Sequence, residues 1–473
     1  MLELWFDFSC PYAYLASHRA RRLTVEVDQP RDATRGGVNR PASPGKRGRE
    51  SPLLIDWRPM LLGGVFRGIG AGDGPMATLS PQKAAHNVAD MHRWAEVFGV
   101  PFRLPPTHPM RTVLALRTLL ALPRTWWPVA IEALFAAYWQ RGDDITRPEV
   151  IGQALRGAGV ADDAIAAAAR CADDPDIKNE LHRRTNEAIS LGIFGAPAWV
   201  IRDHEPLLIW GQDRMPWVEA MIAGWRLSGP PPGGPRPFDP TGEHRPAGTA
   251  LGVPTPLAPG SPFAPAGRAV AGKTLDVYFD VASPFAYLGL TQLPALAAMG
   301  VRPRLVPILL GALFRDIHQA DVPWFAMPPP KQRYVGLDMQ RWASWWGEPF
   351  DLPRKFPQRT ITAQRLCLLA AADGFEPGVR LATALARGMW ADQADLEDPG
   401  MLRAIVGAVG LPEDWVARTQ EPAIKTQLAD NTAAARDAGV FGVPTYVVDG
   451  KHLFWGQDRL DLVARALAGW TPP

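Results

Sequence analysis

Trp5-Phe6-Asp7-Phe8-Ser9-Cys10-Pro11-Tyr12-Ala13-Tyr14-Leu15 and Tyr278-Phe279-Asp280-Val281-Ala282-Ser283-Pro284-Phe285-Ala286-Tyr287-Leu288 are one stretch written twice. Each opens with β-branched or aromatic residues that read as a short strand. Each then meets a proline that fits the first turn of a helix, where its missing N–H costs nothing. A strand running straight into a helix start is an α/β signature. The two copies differ at the residue before that proline: Cys10 in the first, Ser283 in the second.

Working outward, the repeat continues at a nearly constant offset. Arg67 matches Arg315, Lys83 matches Lys331, Arg93-Trp94 matches Arg341-Trp342, and Arg111-Thr112 matches Arg359-Thr360. Before Arg67 the offset is larger, because the first copy carries an insertion at about 29–52, rich in Arg, Gly, Pro and Ser. That insertion reads as a solvated loop, with a basic contact for an acidic partner as the alternative. Residues 229–272 hold twelve prolines and nine glycines and read as a linker. As a coil it would span roughly 35–40 Å, enough for the domains to dock as a pseudo-dimer within one chain or to move independently. The expected domains are therefore 1–228 and 273–473.

Within each copy the pattern is β-α-β, a long helical middle, then β-β-α. A second strand is expected at Leu53–Met60 and Arg304–Leu309, and Ala/Leu-rich helical runs at Val113–Leu122 and Gln364–Ala372. Gly195-Ala196-Pro197 and Gly442-Val443-Pro444 are turns that lead into strands. The following strands end in Trp210-Gly211-Gln212-Asp213-Arg214 and Trp455-Gly456-Gln457-Asp458-Arg459, ahead of an amphipathic closing helix.

Composition narrows the function classes. The 473 residues are 47% hydrophobic and 21% charged with a formal charge of +2, a globular balance that gives no general reason to expect nucleic acid or an anionic membrane as partner. No apolar run approaches the roughly 18 residues that span a bilayer, and Glu3 and Asp7 stand where a secretory signal would be basic and then apolar. Three cysteines (Cys10, Cys171 and Cys367) form no paired framework, so a cytoplasmic chain with reduced thiols is expected. No metal site is expected, since Cys-x-x-Cys and His-Glu-x-x-His are both missing. Gly68-Ile69-Gly70-Ala71-Gly72-Asp73-Gly74 does not fit the dinucleotide-binding spacing, and its counterpart after Arg315 lacks glycine, so it reads as a surface loop.

Four motifs occur in order in both copies: F-D-[FV]-x-[SC]-P-[YF]-A-Y-L, L-L-G-[GA]-[VL]-F-R, G-[AV]-P before a strand, and W-G-Q-D-R. The set resembles the thioredoxin-fold family that includes DsbA-type disulfide oxidoreductases, kappa-class glutathione transferases and 2-hydroxychromene-2-carboxylate isomerases. The resemblance implies two thioredoxin-like domains, each split by a helical insertion. It also implies glutathione as co-substrate and a small aromatic or otherwise electrophilic substrate. In the glutathione-using branch the residue before the turn proline addresses the glutathione sulfur, a role that falls on Ser283 and, in the first copy, on Cys10. The resemblance further implies cis bonds at Ala196-Pro197 and Val443-Pro444, with the residue before proline pairing with the tripeptide backbone. Asp213, Arg214, Asp458 and Arg459 are placed to meet its α-amino end, Arg67 and Arg315 its glycine carboxylate, and Trp210 and Trp455 stand as further contacts.

The chemistry fits that turn. A free thiol is mostly protonated at neutral pH, and a helix N-terminus offers unpaired N–H groups and a partial positive charge to the thiolate. Ser283 can donate a hydroxyl hydrogen bond there, or act only as an N-cap. Asp7 and Asp280 are either acids that influence the sulfur or structural groups. Cys10 has no second cysteine three residues on, where Ala13 stands, which excludes an internal disulfide cycle. It remains open whether Cys10 forms a mixed disulfide with glutathione, stands in for serine, or is inert, although its place at a helix start makes it the cysteine expected to alkylate first. The leading expectation is a glutathione-dependent isomerase or transferase. The alternatives are a thiol-disulfide oxidoreductase using Cys10 with glutathione, and a non-catalytic scaffold of paired domains.

Overall fold

The computed structural model describes residues 1–28, 55–72, 74, 79–226, 229–232, 234–236, 238–240 and 266–473. The basic insertion lies outside the described residues. The chain is mixed α/β, with two four-stranded sheets of identical topology. It divides into two compact units, Met1–Gly74 with Gly99–Val218, and Pro75–Phe98 with Glu219–Pro473.

In the first unit the sheet order is β2-β1-β3-β4, with β1 at Leu2–Phe6, β2 at Ile55–Pro59, β3 at Ala198–Ile201 and β4 at Leu207–Trp210. β1 and β2 are parallel and the other pairs antiparallel. A central strand flanked on both sides and covered on both faces is mostly apolar, and every residue of β1 is buried. Glu3 is the polar member of that strand, and it is satisfied by Arg58 at 2.8 Å, Arg202 at 2.9 Å and the Trp5 indole N–H at 2.9 Å. Between the halves of the sheet runs a helical section that includes Val113–Ala121, Trp127–Ala136 and Pro175–Ser190.

The second unit repeats this with the order β6-β5-β7-β8: β5 at Leu275–Phe279, β6 at Arg304–Pro307, β7 at Thr445–Val448 and β8 at His452–Trp455. Its helical section includes Ile361–Asp373, Phe375–Trp390 and Pro422–Asp437. The strands fall within or beside the expected stretches. The helix expected over Gln364–Ala372 begins three residues earlier, where Thr360 precedes its first turn.

Two features of this unit go beyond the repeat pattern. The described part of the Pro/Gly-rich segment is held against the protein rather than coil-like. Arg236 N–H donates to the Trp345 carbonyl at 2.6 Å, Ser344 donates to the Gly229 carbonyl at 2.5 Å, and Phe238 N–H meets the Gln292 side chain at 2.9 Å. Proline lowers the entropy lost when a chain is laid down in this way. The other feature is the helix Pro81–Phe98, which by sequence belongs to the first repeat but lies in the compact unit of the second.

That helix covers the edge of the second sheet. Among the described residues β8 is an edge strand whose outward N–H and C=O groups have no strand partner. Arg93 donates to the Leu453 carbonyl at 2.7 Å, and His86 Nε2 accepts the Trp455 N–H at 3.3 Å. Leu453 and Trp455 are two apart, the spacing at which backbone groups of a strand face the same way. His86 and Arg93 are seven apart, two helical turns on one face. Burial pushes the His86 imidazole down to about 4, with the Asp90 charge opposing and those of Arg459 and Arg93 adding.

A depressed histidine contributes stability above its unfolded value near 6.5 and loses it as pH falls toward 4, because the unfolded chain takes up a proton that the folded chain refuses. Unfolding in urea at pH 7 and pH 4 should show wild type losing on the order of 3 kcal/mol more than His86→Gln over that range. Equal acid sensitivity in the two proteins would show that His86 is not neutral in the fold.

Candidate functional site

Ser283 sits at the N-cap of the helix Pro284–Thr291, its backbone extended and its hydroxyl accepting the Ala286 N–H at 3.2 Å. The same hydroxyl donates to the Val443 carbonyl at 3.2 Å, and Val443-Pro444 is cis. Pro444 in turn accepts the Gly456 N–H at 2.9 Å, and the helix Pro284–Thr291 packs against the turn Gln457–Arg459. Ser283, Val443, Pro444, Trp455, Asp458 and Arg459 therefore form one cluster drawn from a helix start, a loop and a strand end.

Two glycines make that cluster possible. A Cβ on Gly442 would come within 2.6 Å of the Trp455 indole nitrogen, so only glycine lets the ring lie against the backbone before Val443. Gly456 has φ near +105° and its Cβ would meet an Asp458 carboxylate oxygen at 2.5 Å. The Asp458 carboxylate thus curls back over its own turn, 3.2 Å from the Arg459 guanidinium.

The first unit builds the same constellation around a thiol. Cys10 donates to the Ala196 carbonyl at 3.1 Å, Ala196-Pro197 is cis, and Gly211 N–H donates to Pro197 at 3.1 Å. Trp210 lies against Gly195, and Arg214 pairs with Asp213 at 2.9 Å. The electrostatics differ from the sequence expectation. Cys10 is buried, and burial above all, with the Asp7 charge adding, pushes its thiol up to about 12. A helix N-terminus alone would lower it; here desolvation outweighs the dipole, so the fold holds a thiol and not a thiolate.

Both turns are fixed from behind by a buried aspartate. Asp280 accepts the Ala282 N–H at 2.9 Å, the Leu310 N–H at 2.8 Å and the Thr360 hydroxyl at 2.8 Å. Asp7 accepts Ser9 N–H, Leu62 N–H and the Thr112 hydroxyl at 2.9, 2.8 and 2.6 Å. Burial raises both carboxyls above the usual carboxylate range, and these donors offset only part of that rise. The helical sections add a tryptophan each: Trp390 donates to the Val281 carbonyl and Trp139 to the Phe8 carbonyl, both at 2.8 Å. The two aspartates thus fix the shape of the turn, and Asp7 also bears on the Cys10 sulfur through its charge.

Arg315 and Arg67 end the short helices Leu310–Asp316 and Leu62–Gly68, where both are exposed. No described contact ties either to its cluster. Two residues that the repeat alignment paired without a role are better placed. Lys83 stands over the Trp455 ring at 4.8 Å, and burial, then the neighbouring Lys331 ammonium, bring it down to about 8. Lys331 is lowered by burial as well. Among the described residues neither ammonium has an ion-pair partner, so the two face each other without a neutralising charge. Their matched positions in the two repeats were the available signal. Asp90, whose two carboxylate oxygens pair with one edge of the Arg459 guanidinium at 2.9 and 3.0 Å, gave none.

Among the described residues no group of His, Cys, Asp and Glu could hold a metal ion, and no helix is long and apolar enough to cross a membrane.

Comparison with known proteins finds related chains. 2-Hydroxychromene-2-carboxylate isomerase of Sphingobium xenophagum is 31% identical over 199 residues, 40% of this chain and 96% of the relative. Glutathione S-transferase kappa 1 of Caenorhabditis elegans is 27% identical over 206 residues, 41% of this chain and 90% of the relative. A solved structure of 2-hydroxychromene-2-carboxylate isomerase is 23% identical with a TM-score of 0.38, covering 41% of this chain and 94% of its own. The model of the DSBA-like thioredoxin domain matches residues 1–223 and again residues 274–468. With both repeats matched almost end to end, the chain belongs to the DSBA-like thioredoxin domain family, carried here in two copies.

Proposed function

We propose that the chain is a glutathione-dependent isomerase or transferase acting on a small aromatic or otherwise electrophilic compound, with its chemistry in the second repeat. The observation that carries this reading is the Ser283 hydroxyl, held at a helix N-terminus between the Ala286 N–H and the carbonyl before the cis proline. A serine hydroxyl has one proton and two lone pairs, and its proton rotates to suit its neighbours. Turned from Val443 toward a sulfur, it stabilises the thiolate without reacting, and the helix terminus adds its partial positive charge. Relatives named as isomerase and as glutathione transferase match this chain over about two fifths of its length.

In the proposed reaction the glutathione thiolate adds to a conjugated electrophile, the resulting single bond rotates or the ring rearranges, and the thiolate leaves in the isomerase case. Val443 offers its backbone to the tripeptide in strand fashion, Trp455 packs beside it, and Asp458 meets the α-ammonium group. The glycine carboxylate is better served by Lys83 and Lys331 than by the exposed Arg315, since Lys83 stands over the Trp455 ring with the Lys331 ammonium near it, and no described contact ties Arg315 to the cluster. The first repeat keeps the same frame around a protonated thiol at Cys10, with Arg67, Ala196, Pro197, Trp210, Asp213 and Arg214 in the matching places.

Two measurements test this reading. Ser283→Ala should lower kcat/KM with an electrophilic substrate by roughly a hundredfold, the usual cost of removing one donor from a developing anion. It should also shift the titration of bound glutathione, followed by thiolate absorbance in the ultraviolet, to higher pH. Unchanged titration would remove Ser283 from the chemistry. In the second measurement, limited iodoacetamide followed by peptide mapping should label the partly exposed Cys171 ahead of buried Cys10. Preferential labelling of Cys10 would revive a thiol-disulfide role for the first repeat.

A further inference from the structure

The helix Pro81–Phe98 presents His86, Asp90, Arg93 and Trp94 at spacings of four, three and one, which places them along one face. That face meets the second repeat's site. His86 holds the Trp455 N–H, Arg93 holds the Leu453 carbonyl, and Trp94 lies 5.5 Å from the Arg459 guanidinium, ring centre to carbon. Asp90, almost fully buried, takes the Arg459 Nε and a terminal nitrogen in bidentate fashion at 2.9 and 3.0 Å. The remaining terminal nitrogen of Arg459 reaches Asp458 at 3.2 Å.

The three groups thus form a line of charge, negative, positive, negative, of which only the two members at the W-G-Q-D-R turn belong to the second repeat. One guanidinium carries a single positive charge. Asp90 meets it with the better geometry, so the Asp90–Arg459–Asp458 set keeps a net negative charge on the Asp458 side. Without Asp90, the guanidinium is released to Asp458, and the set becomes neutral there.

We propose that Asp90, supplied by the first repeat, is a positioning residue of the second repeat's site: it fixes Arg459 and leaves Asp458 able to accept the α-ammonium group of an amino-acid ligand. This rests on the glutathione reading above. It gives the first repeat a task in ligand selection that needs no chemistry at Cys10.

The test uses full-length protein and two ligands in calorimetry: glutathione, and its analogue with glutaryl in place of the γ-glutamyl group, which keeps the thiol and the glycine carboxylate but lacks the ammonium. Wild type should prefer glutathione. Asp90→Asn should weaken glutathione about tenfold, the scale of one hydrogen bond to a charged group, and leave the analogue unchanged. Adding Arg459→Gln to Asp90→Asn removes the released guanidinium and should restore the preference. Should Asp90→Asn fail to fold by circular dichroism, Asp90→Glu, which keeps the charge, is expected to retain the preference, and its loss there would overturn the proposal. Equal weakening of both ligands, or no weakening, also overturns it. Wild type that binds neither ligand defeats the glutathione reading itself, a result distinct from any change confined to the variants.

Discussion

A buried carboxylate at the end of the first strand of each repeat organises everything downstream. Asp280 joins three pieces that sequence keeps far apart: its own turn through Ala282, the second strand's exit through Leu310, and the helical section through Thr360. A lone carboxylate buried in this way would cost several kcal/mol, and the donors around it offset that cost. The result is a turn with little freedom, so the next residue's side chain is aimed by the fold and not by its own rotamer preference. Asp7 does the same for Cys10 with the same kinds of partner.

The repeat offers an internal comparison of two atoms in one frame. Oxygen at Ser283 and sulfur at Cys10 both donate to the carbonyl before a cis proline, at 3.2 and 3.1 Å. The hydroxyl keeps its proton under any ordinary condition and can lend it to an anionic neighbour. The thiol could ionise, but burial and the Asp7 charge hold the proton on it. A frame that suits a hydrogen-bond donor is a poor one for a nucleophilic cysteine, which needs access and positive surroundings. The same frame therefore gives the two copies different chemistry at the helix start.

The helix Pro81–Phe98 changes how the duplication is understood. An edge strand exposes backbone groups that any other strand can pair with, and proteins cover such edges. Here β8 is covered by a helix whose residues lie some 360 positions earlier in the chain, through Arg93 and His86. The covering side chains also reach the Gln457–Arg459 turn, because β8 ends in it. Edge protection and the ordering of that turn are consequently the same set of contacts.

The sequence by itself determined the element order of each repeat and the helix start at Ser283, while Val443, Pro444, Trp455, Asp458 and Arg459 were grouped only through the resemblance of the motifs that carry them. These features rest on local rules: periodicity of apolar residues, proline in a first turn, and glycine where a side chain or a positive φ leaves no room for Cβ. Only the tertiary structure decided the protonation of Cys10, because local sequence supplies the helix terminus but not the burial that opposes it. It alone decided that Arg315 faces outward while Lys83 and Lys331 come together, and that Asp90 of one repeat pairs with Arg459 of the other. Desolvation and long-range charge pairing depend on what packs around a group, and no spacing along the chain encodes that.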